Sequence, residues 1–369
     1  MSVVLKGLKR ILDKGVFTRN EMVSLLGLTD PKDLERLRSR AETTLLEGLG
    51  KQVYYRGLVE FSNRCVLDCY YCGIRRSNDK VERFSLSKEE IVEAALWCAR
   101  EGYGSAVLQS GQRQDPAFID FVEDVVHTIK TESASENLPQ GLGITLCVGE
   151  QAPEVYQRFF EAGAHRYLLR IETTHPELYA QIHPAEQRLQ TRLDCLQSLQ
   201  DIGYQVGTGV MIGLPGQTLE MLADDIVFFH DFSIDMIGMG PYITHDDTPM
   251  AECGSADQAA VFQLALNMIA VTRLVCPNVN IAATTALQAI KPDGREQGLT
   301  YGANVTMPNL TPTEVRASYQ LYEGKPCVNE GRGECRNCLL SRIESVGREV
   351  GFDRWGDSTH FAIRTGAGL

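Results

Sequence analysis

The stretch FSNRCVLDCYYCGIRR, residues 61–76, sets three cysteines within eight positions: Cys65, Cys69 and Cys72. Their spacing is C-x3-C-x2-C, and neither a cysteine nor a histidine follows within 20 residues. A closed structural metal site takes four ligands. Three leave a choice: a distant residue completes the set, or one coordination position stays open. Cys98 is a candidate fourth ligand, but it falls on the apolar stripe of a helical pattern and reads as core.

The surroundings of this stretch decide the fold. VYYRGLVEF, from Val53, runs directly into it as a β-rich segment, and seven more such runs follow: SAVLQS from Ser105, GITLCVG from Gly143, RYLLRIE from Arg166, VGTGVMI from Val206, DMIGMGP from Asp235, VNIAATT from Val279 and GANVTMP from Gly302. Several are apolar on both faces, as strands of a helix-covered parallel sheet should be. Helical patterns separate them. Ser87 to Glu90 spells a capping box, and Ile91, Ala94, Ala95, Cys98 and Ala99 follow at helical spacing. Pro116 and Pro153 stand where a first helical turn accepts proline, and Thr311 to Glu314 spells a second capping box. Eight β/α alternations over about 250 residues predict an α/β fold, a TIM-type (β/α)8 barrel across residues 51–310. A doubly wound open sheet is the competing topology. Residues 1–50 predict a helical cap on the barrel's N-terminal side. Residues 311–369 predict a helical extension with further cysteines, and TESASENLPQG, from Thr131, a surface loop.

The 369 residues carry a net charge of −12, which disfavours nucleic acid or an anionic membrane as partner. The N-terminus lacks an apolar signal-peptide core, and no window reads as the ~20 apolar residues of a membrane span. A cytoplasmic monomer is the expectation. In that reducing compartment, clustered members of the 11 cysteines point to metal rather than disulfides.

On a barrel, Cys65, Cys69 and Cys72 follow the first strand, at the rim where barrel active sites form. Three thiolates can hold three irons of a 4Fe–4S cube and leave the fourth open. With Tyr71 before its last cysteine, the loop resembles the signature of the radical S-adenosylmethionine (SAM) superfamily. That resemblance implies that the methionyl amine and carboxylate of SAM chelate the open iron. One electron from the reduced cluster then breaks the sulfonium to give a 5′-deoxyadenosyl radical. It further implies SAM contacts at Ser110 and Gly111, where Gln112 replaces the usual acid, and at Glu172, Met211 and Arg192, the last for the methionyl carboxylate.

Longer stretches, among them GAHRYLLRIETTHPELY, DMIGMGPYITHDDTP and GANVTMPNLTP, resemble in order and context the HydE family of FeFe-hydrogenase maturases, from about residue 50 to 345. The resemblance implies a small organometallic substrate: an iron complex bearing CO, cyanide and cysteine, a precursor of the hydrogenase diiron cofactor. It also implies other maturation proteins and an electron donor as partners. The implied substrate contacts are Arg56, Gln109, Thr145, Arg170, Thr284, Thr285 and Tyr322. Charged and hydroxyl donors suit anionic ligands in a dry cavity, although each also reads as a satisfied core polar group. Biotin synthase, of the same subgroup, holds a second cluster with three cysteines and an arginine, and here only Cys147 stands on a strand to serve. Methylornithine synthase stays open as an alternative, as does a non-enzymatic iron–sulfur scaffold. Cys327, Cys335 and Cys338 make a C-x7-C-x2-C set. The resemblance implies an accessory cluster there, while the residues alone leave a zinc site or loose thiols open. His245-Asp246-Asp247 reads as a turn, and Cys195, Cys253 and Cys276 as packing or surface residues.

Overall fold

The computed structural model describes residues 3–254 and 257–366, and each β-rich run of the sequence becomes strand within it. The strands are β1 (Gln52–Tyr55), β2 (Gly57–Ser62), β3 (Ser105–Ser110), β4 (Gly143–Cys147), β5 (Ala164–Leu168), β6 (Gln205–Thr208), β7 (Met211–Ile212), β8 (Met236–Ile237), β9 (Gly240–Pro241), β10 (Asn280–Ile281), β11 (Val305–Thr306) and β12 (Glu349–Val350). The helices are α1 (Val3–Leu12), α2 (Arg19–Leu26), α3 (Pro31–Leu49), α4 (Lys88–Arg100), α5 (Pro116–Glu132), α6 (Pro153–Glu161), α7 (Pro176–Ile182), α8 (Leu189–Ile202), α9 (Leu219–Asp231), α10 (Gln258–Val275), α11 (Thr285–Ile290), α12 (Gly294–Thr300), α13 (Thr313–Arg316), α14 (Arg332–Ser345) and α15 (Thr359–Thr365).

Strands β2, β3, β4, β5, β6, β8 and β10 are neighbours in one parallel sheet, in chain order. The ring then closes. Ala282 bridges Val305 of β11, and β11 pairs in parallel with β1 through Tyr54↔Val305 and Tyr55↔Thr306. Leu310 N donates to Leu58 O at 2.7 Å, carrying that seam up to β2. Chain-order neighbours and closure are those of a (β/α)8 barrel, whereas a doubly wound sheet would reverse strand order part-way. Outward residues such as Ala106, Leu108, Ile144 and Leu146 pack under the helices with almost no exposure, while Gln109, Thr145 and Cys147 alternate to the other face.

The local signals of the sequence have mixed fates. Ser87 caps α4 with both bonds of the box present, and Pro116 and Pro153 open α5 and α6. Cys98 is buried on α4 and donates to Ser105 O at 3.4 Å, so it is core and no ligand. The second capping box does not form. Pro312 is the N-cap of the four-residue α13, without a side-chain cap bond, and Thr311 Oγ1 accepts the Glu60 N–H at 2.8 Å instead. A buried amide of β2 has the stronger claim on that hydroxyl than the start of a four-residue helix. The polar loop from Thr131 begins at the end of α5, as expected.

The N-terminal helices are also placed differently from the expectation. They lie along the barrel's side, α2 against α9 and α10 and α3 against α10. Asn267 of α10 donates to the carbonyls of Leu26 and Leu28 at 3.0 and 3.1 Å, and Arg19 pairs with Asp224 of α9. The chain's C-terminal segment closes the lower end instead. Arg166 Nη1 donates to Trp355 O and pairs with Asp357, both at 2.8 Å. Arg56 and Asn280 both donate to Gly356 O. Among the described residues α10 is long and apolar enough to cross a membrane, with mean hydropathy 1.4, which the sequence reading missed. Two-thirds of it is buried in this fold, as for a core helix.

Candidate active site

Cys65, Cys69 and Cys72 lie on the loop that leaves β2 at the barrel mouth. Backbone bonds fix the loop: Val66 N to Gln112 O (2.9 Å), Arg76 N to Leu67 O (2.7 Å) and Tyr70 N to Ile182 O (3.0 Å). The Arg83 guanidinium gathers the carbonyls of Asn63, Ile74, Arg75 and Asn78 at 2.6–2.9 Å, holding the loop's two limbs together. Gly111, at the end of β3, packs so closely that a Cβ would stand 2.5 Å from Arg64 O and 2.7 Å from Cys65 Cβ.

Burial pushes all three thiols upward, Cys69 to about 12; Cys65 raises Cys69 further, and Cys69 and Cys65 both raise Cys72. A bound cation among them would favour the thiolate form that burial opposes. Among the described residues no group of three His, Cys, Asp or Glu side chains is placed to hold a single ion. Cys65, Cys69 and Cys72, three thiol donors on one short loop, would hold three irons of a 4Fe–4S cluster. The residues present fit such a cluster.

Next to the thiols, the chain beyond β5 is stitched to the segment after β6. Glu172 N donates to Gly209 O at 2.9 Å, and Met211 N to Glu172 O at 3.0 Å. Glu172 adopts φ +64°, a left-handed backbone that a non-glycine residue holds only under restraint. Its buried carboxylate takes a forked bond from Arg170, at 3.0 and 3.2 Å from Nε and 3.0 Å from Nη2. Arg192 is buried as well, 2.6 Å from Glu150 Oε1 and bonded to Arg170 O. The charges of Glu172 and Arg192 act on both Cys69 and Tyr71. Tyr71 and Met211 pack on one small apolar cluster with Leu178, Ile182 and Leu214. Tyr71 also stands edge-on to His183, which burial holds neutral by lowering it to about 3. Ser110 Oγ bonds Gly111 O at 2.8 Å.

Inside the barrel the predicted substrate contacts divide by depth. Near the mouth, Gln109 donates to Tyr319 Oη at 3.1 Å, and Thr285 shares a 2.8 Å bond with Tyr322 Oη. Thr284 donates to Met239 O at 3.3 Å. Deeper, Arg56 and Thr145 line a small cavity with Met236 and Asn280. Thr145 Oγ1 accepts from Arg166 at 3.1 Å, whereas Arg56 bonds Met236 Sδ and Gly356 O and leaves its Nε without a partner. Sequence reasoning missed Glu60, Tyr319 and Lys325, which share the mouth. Glu60 had a signal, a lone acid on the inward face of an apolar strand; the two others lie in a stretch without periodicity.

Of the C-terminal cysteines, Cys335 is buried on α14 and bonds the Cys327 thiol, which holds Cys335 down at about 6 and pushes Cys327 up. Cys338, one turn on, is exposed and accepts from Arg342 Nε at 3.2 Å. His245 forms the expected turn, accepting Asp247 N–H at 3.1 Å. Cys195 and Cys276 are buried and Cys253 is exposed.

A parallel barrel with three thiols on one loop and a restrained carboxylate at its mouth fits the class of the radical SAM enzymes, and the Radical SAM superfamily model matches residues 59–229. The HydE subunit of the [FeFe] hydrogenase maturase of Thermotoga maritima is 42% identical over 94% of this chain and 95% of its own. The chain belongs to the HydE family of radical SAM enzymes, which use a 4Fe–4S cluster and SAM. More distantly, the 3-methylornithine synthase of Methanosarcina barkeri is 27% identical over 82% of both chains. The crystal structure of methylornithine synthase PylB shares the fold, with a TM-score of 0.77 at 22% identity over 94% of this chain and 97% of that one.

Proposed function

We propose that this enzyme is an FeFe-hydrogenase maturase acting on an iron complex that carries CO, cyanide and cysteine. What supports the reading is the 42% identity to a maturase along 94% of the chain, which extends over the barrel interior and beyond the cluster loop. Cys65, Cys69 and Cys72 would hold the 4Fe–4S cluster. When bound, cluster and SAM supply a 5′-deoxyadenosyl radical.

The protein's own groups bind, orient and shield. Glu172, held by Arg170, offers carboxylate lone pairs to the ribose hydroxyls of SAM. Arg192 presents a buried cation for the methionyl carboxylate, while Tyr71, Met211, Ser110 and Gly111 wall the pocket. Gln109, Arg170, Thr284, Thr285 and Tyr322 supply donors near the mouth, and Arg56 and Thr145 below them, for the diatomic ligands and carboxylate of the complex. In a dry interior such bonds are stronger than in water. The enzyme would work in the cytoplasm as a monomer, take its electron from an outside donor, and pass its product to other maturation proteins. Cys327, Cys335 and Cys338 could carry an accessory cluster away from the mouth.

Anaerobic reconstitution, then incubation with SAM, reductant and the iron complex, tests the reading. Release of 5′-deoxyadenosine that depends on the complex, with conversion of the complex, is the expected result. Methylornithine formed from lysine would reassign the chain to the reaction of its more distant relative.

A further inference from the structure

A buried ion pair at the barrel mouth is left unused by the SAM and substrate contacts. Lys325 Nζ lies 2.5 Å from Glu60 Oε1, and the two side chains are 6% and 2% exposed. Both ends make further contacts. Asn309 Nδ2 donates to Glu60 Oε2 at 3.2 Å, and Lys325 also donates to Tyr319 O at 2.8 Å, with its ammonium 5.1 Å from the Tyr319 ring centre. Glu60 sits opposite Gln109 in the β2–β3 register, and Gln109 holds the Tyr319 hydroxyl. Lys325 thus grips the same tyrosine by its backbone that Gln109 grips by its side chain.

The segment from 319 to 325 crosses the mouth as a strap. Gly73, just after the last cluster cysteine, donates its N–H to Leu321 O at 3.1 Å, and a Cβ on Gly73 would meet the Gln320 carbonyl. Tyr322 reaches Thr285, and Glu323 N donates to Thr244 O at 2.9 Å. The strap has no helix or strand of its own between α13 and α14, so side-chain ties set its position. Burying two charges seldom improves stability over apolar residues of similar size. A pair kept here despite that cost is better explained by registry.

We propose that Glu60 and Lys325 are a positioning pair, clamping the strap so that Tyr319 and Tyr322 keep a fixed place between the cluster loop and the substrate donors. The inference rests on the proposed maturase reaction for its second readout only.

Breaking one partner strands a buried charge, so the test uses the double variant Glu60→Met/Lys325→Met, in which neither charge remains. Hydrogen exchange is first measured on the protein as purified, without cluster. The clamp predicts near-normal melting with exchange at Gly73 and Glu323 faster by about tenfold or more. After reconstitution, 5′-deoxyadenosine released per iron complex converted should rise by about tenfold, because radical formation continues while substrate is misplaced. A folded double variant with wild-type exchange and wild-type coupling overturns the proposal. Should that double variant not fold, Glu60→Gln/Lys325→Met, which also leaves neither charge, is read by the same exchange measurement, with unchanged protection overturning the clamp. Failure of the wild type to convert the iron complex would count against the maturase reading, and the exchange measurement would still decide the clamp.

Discussion

Glu172 joins backbone restraint to chemistry in one residue. Its φ of +64° is held by bonds on both sides to the segment 209–211, and the resulting turn aims the carboxylate at Arg170 beside the cluster loop. Replacing the acid by alanine keeps the left-handed turn but removes the acceptor. Bonds to charged groups contribute about 1.5–3 kcal/mol each, so Glu172→Ala should weaken SAM binding by roughly 10- to 100-fold; calorimetry on the reconstituted protein measures this. An affinity within twofold of wild type would remove Glu172 from the SAM site. Gly111→Ala addresses the cluster loop in the same way. Its Cβ would press on Arg64 O and Cys65 Cβ, so the variant should fold yet bind less than about half the wild-type iron and sulfide after reconstitution, since the loop must shift to relieve a contact below van der Waals distance.

At the level of elements, the two capping boxes of the sequence diverge for a physical reason. Ser87 meets an orphan amide at the start of a 13-residue helix. Thr311 stands beside a strand whose buried Glu60 N–H has a prior claim. Ser87→Ala should cost about 1 kcal/mol, as N-cap losses do. Thr311→Ala leaves a buried amide unsatisfied and should cost about 1–3 kcal/mol; denaturant unfolding of the two variants gives the comparison. A Thr311 variant no less stable than the Ser87 variant would contradict the assignment. Strand alternation and helical stripes announced these elements because each is a local pattern. The destination of a side chain such as Thr311 depends on a partner 251 positions away, and no local pattern encodes it.

For the whole molecule, the barrel was legible because eight β/α alternations admit few topologies, and the three-cysteine loop because its ligand count is itself the signal. The floor was not legible. Trp355, Gly356 and Asp357 engage Arg166 and Arg56 across more than 180 positions, and the N-terminal helices, whose amphipathicity says only that one face is covered, settle along the side wall. Nor were Tyr319 and Lys325, held by long-range bonds on a strap without secondary structure.

Asp225 of α9 makes a global prediction. Burial pushes its carboxyl up to about 7, against bonds from Thr174 that favour the charged form, and its Oδ2 has no partner. Between pH ~4 and ~7 the folded chain keeps a proton that the unfolded chain has released, so this group's contribution to stability falls as pH rises through that window. Asp225→Asn removes the titration. The stability of the variant relative to wild type should therefore increase from pH 5 to pH 8 in parallel melting experiments, and a difference independent of pH would contradict the assignment.

The central claim, that Cys65, Cys69 and Cys72 hold a cluster whose remaining iron is open to SAM, is tested most directly by electron paramagnetic resonance. The protein is reconstituted anaerobically, reduced with dithionite, and measured with and without SAM, both as wild type and with Cys327, Cys335 and Cys338 changed to alanine. A reduced 4Fe–4S signal that shifts on adding SAM in both proteins is the predicted result. A signal indifferent to SAM, or one lost with the three C-terminal cysteines, would contradict the account and favour a scaffold that carries clusters without using them.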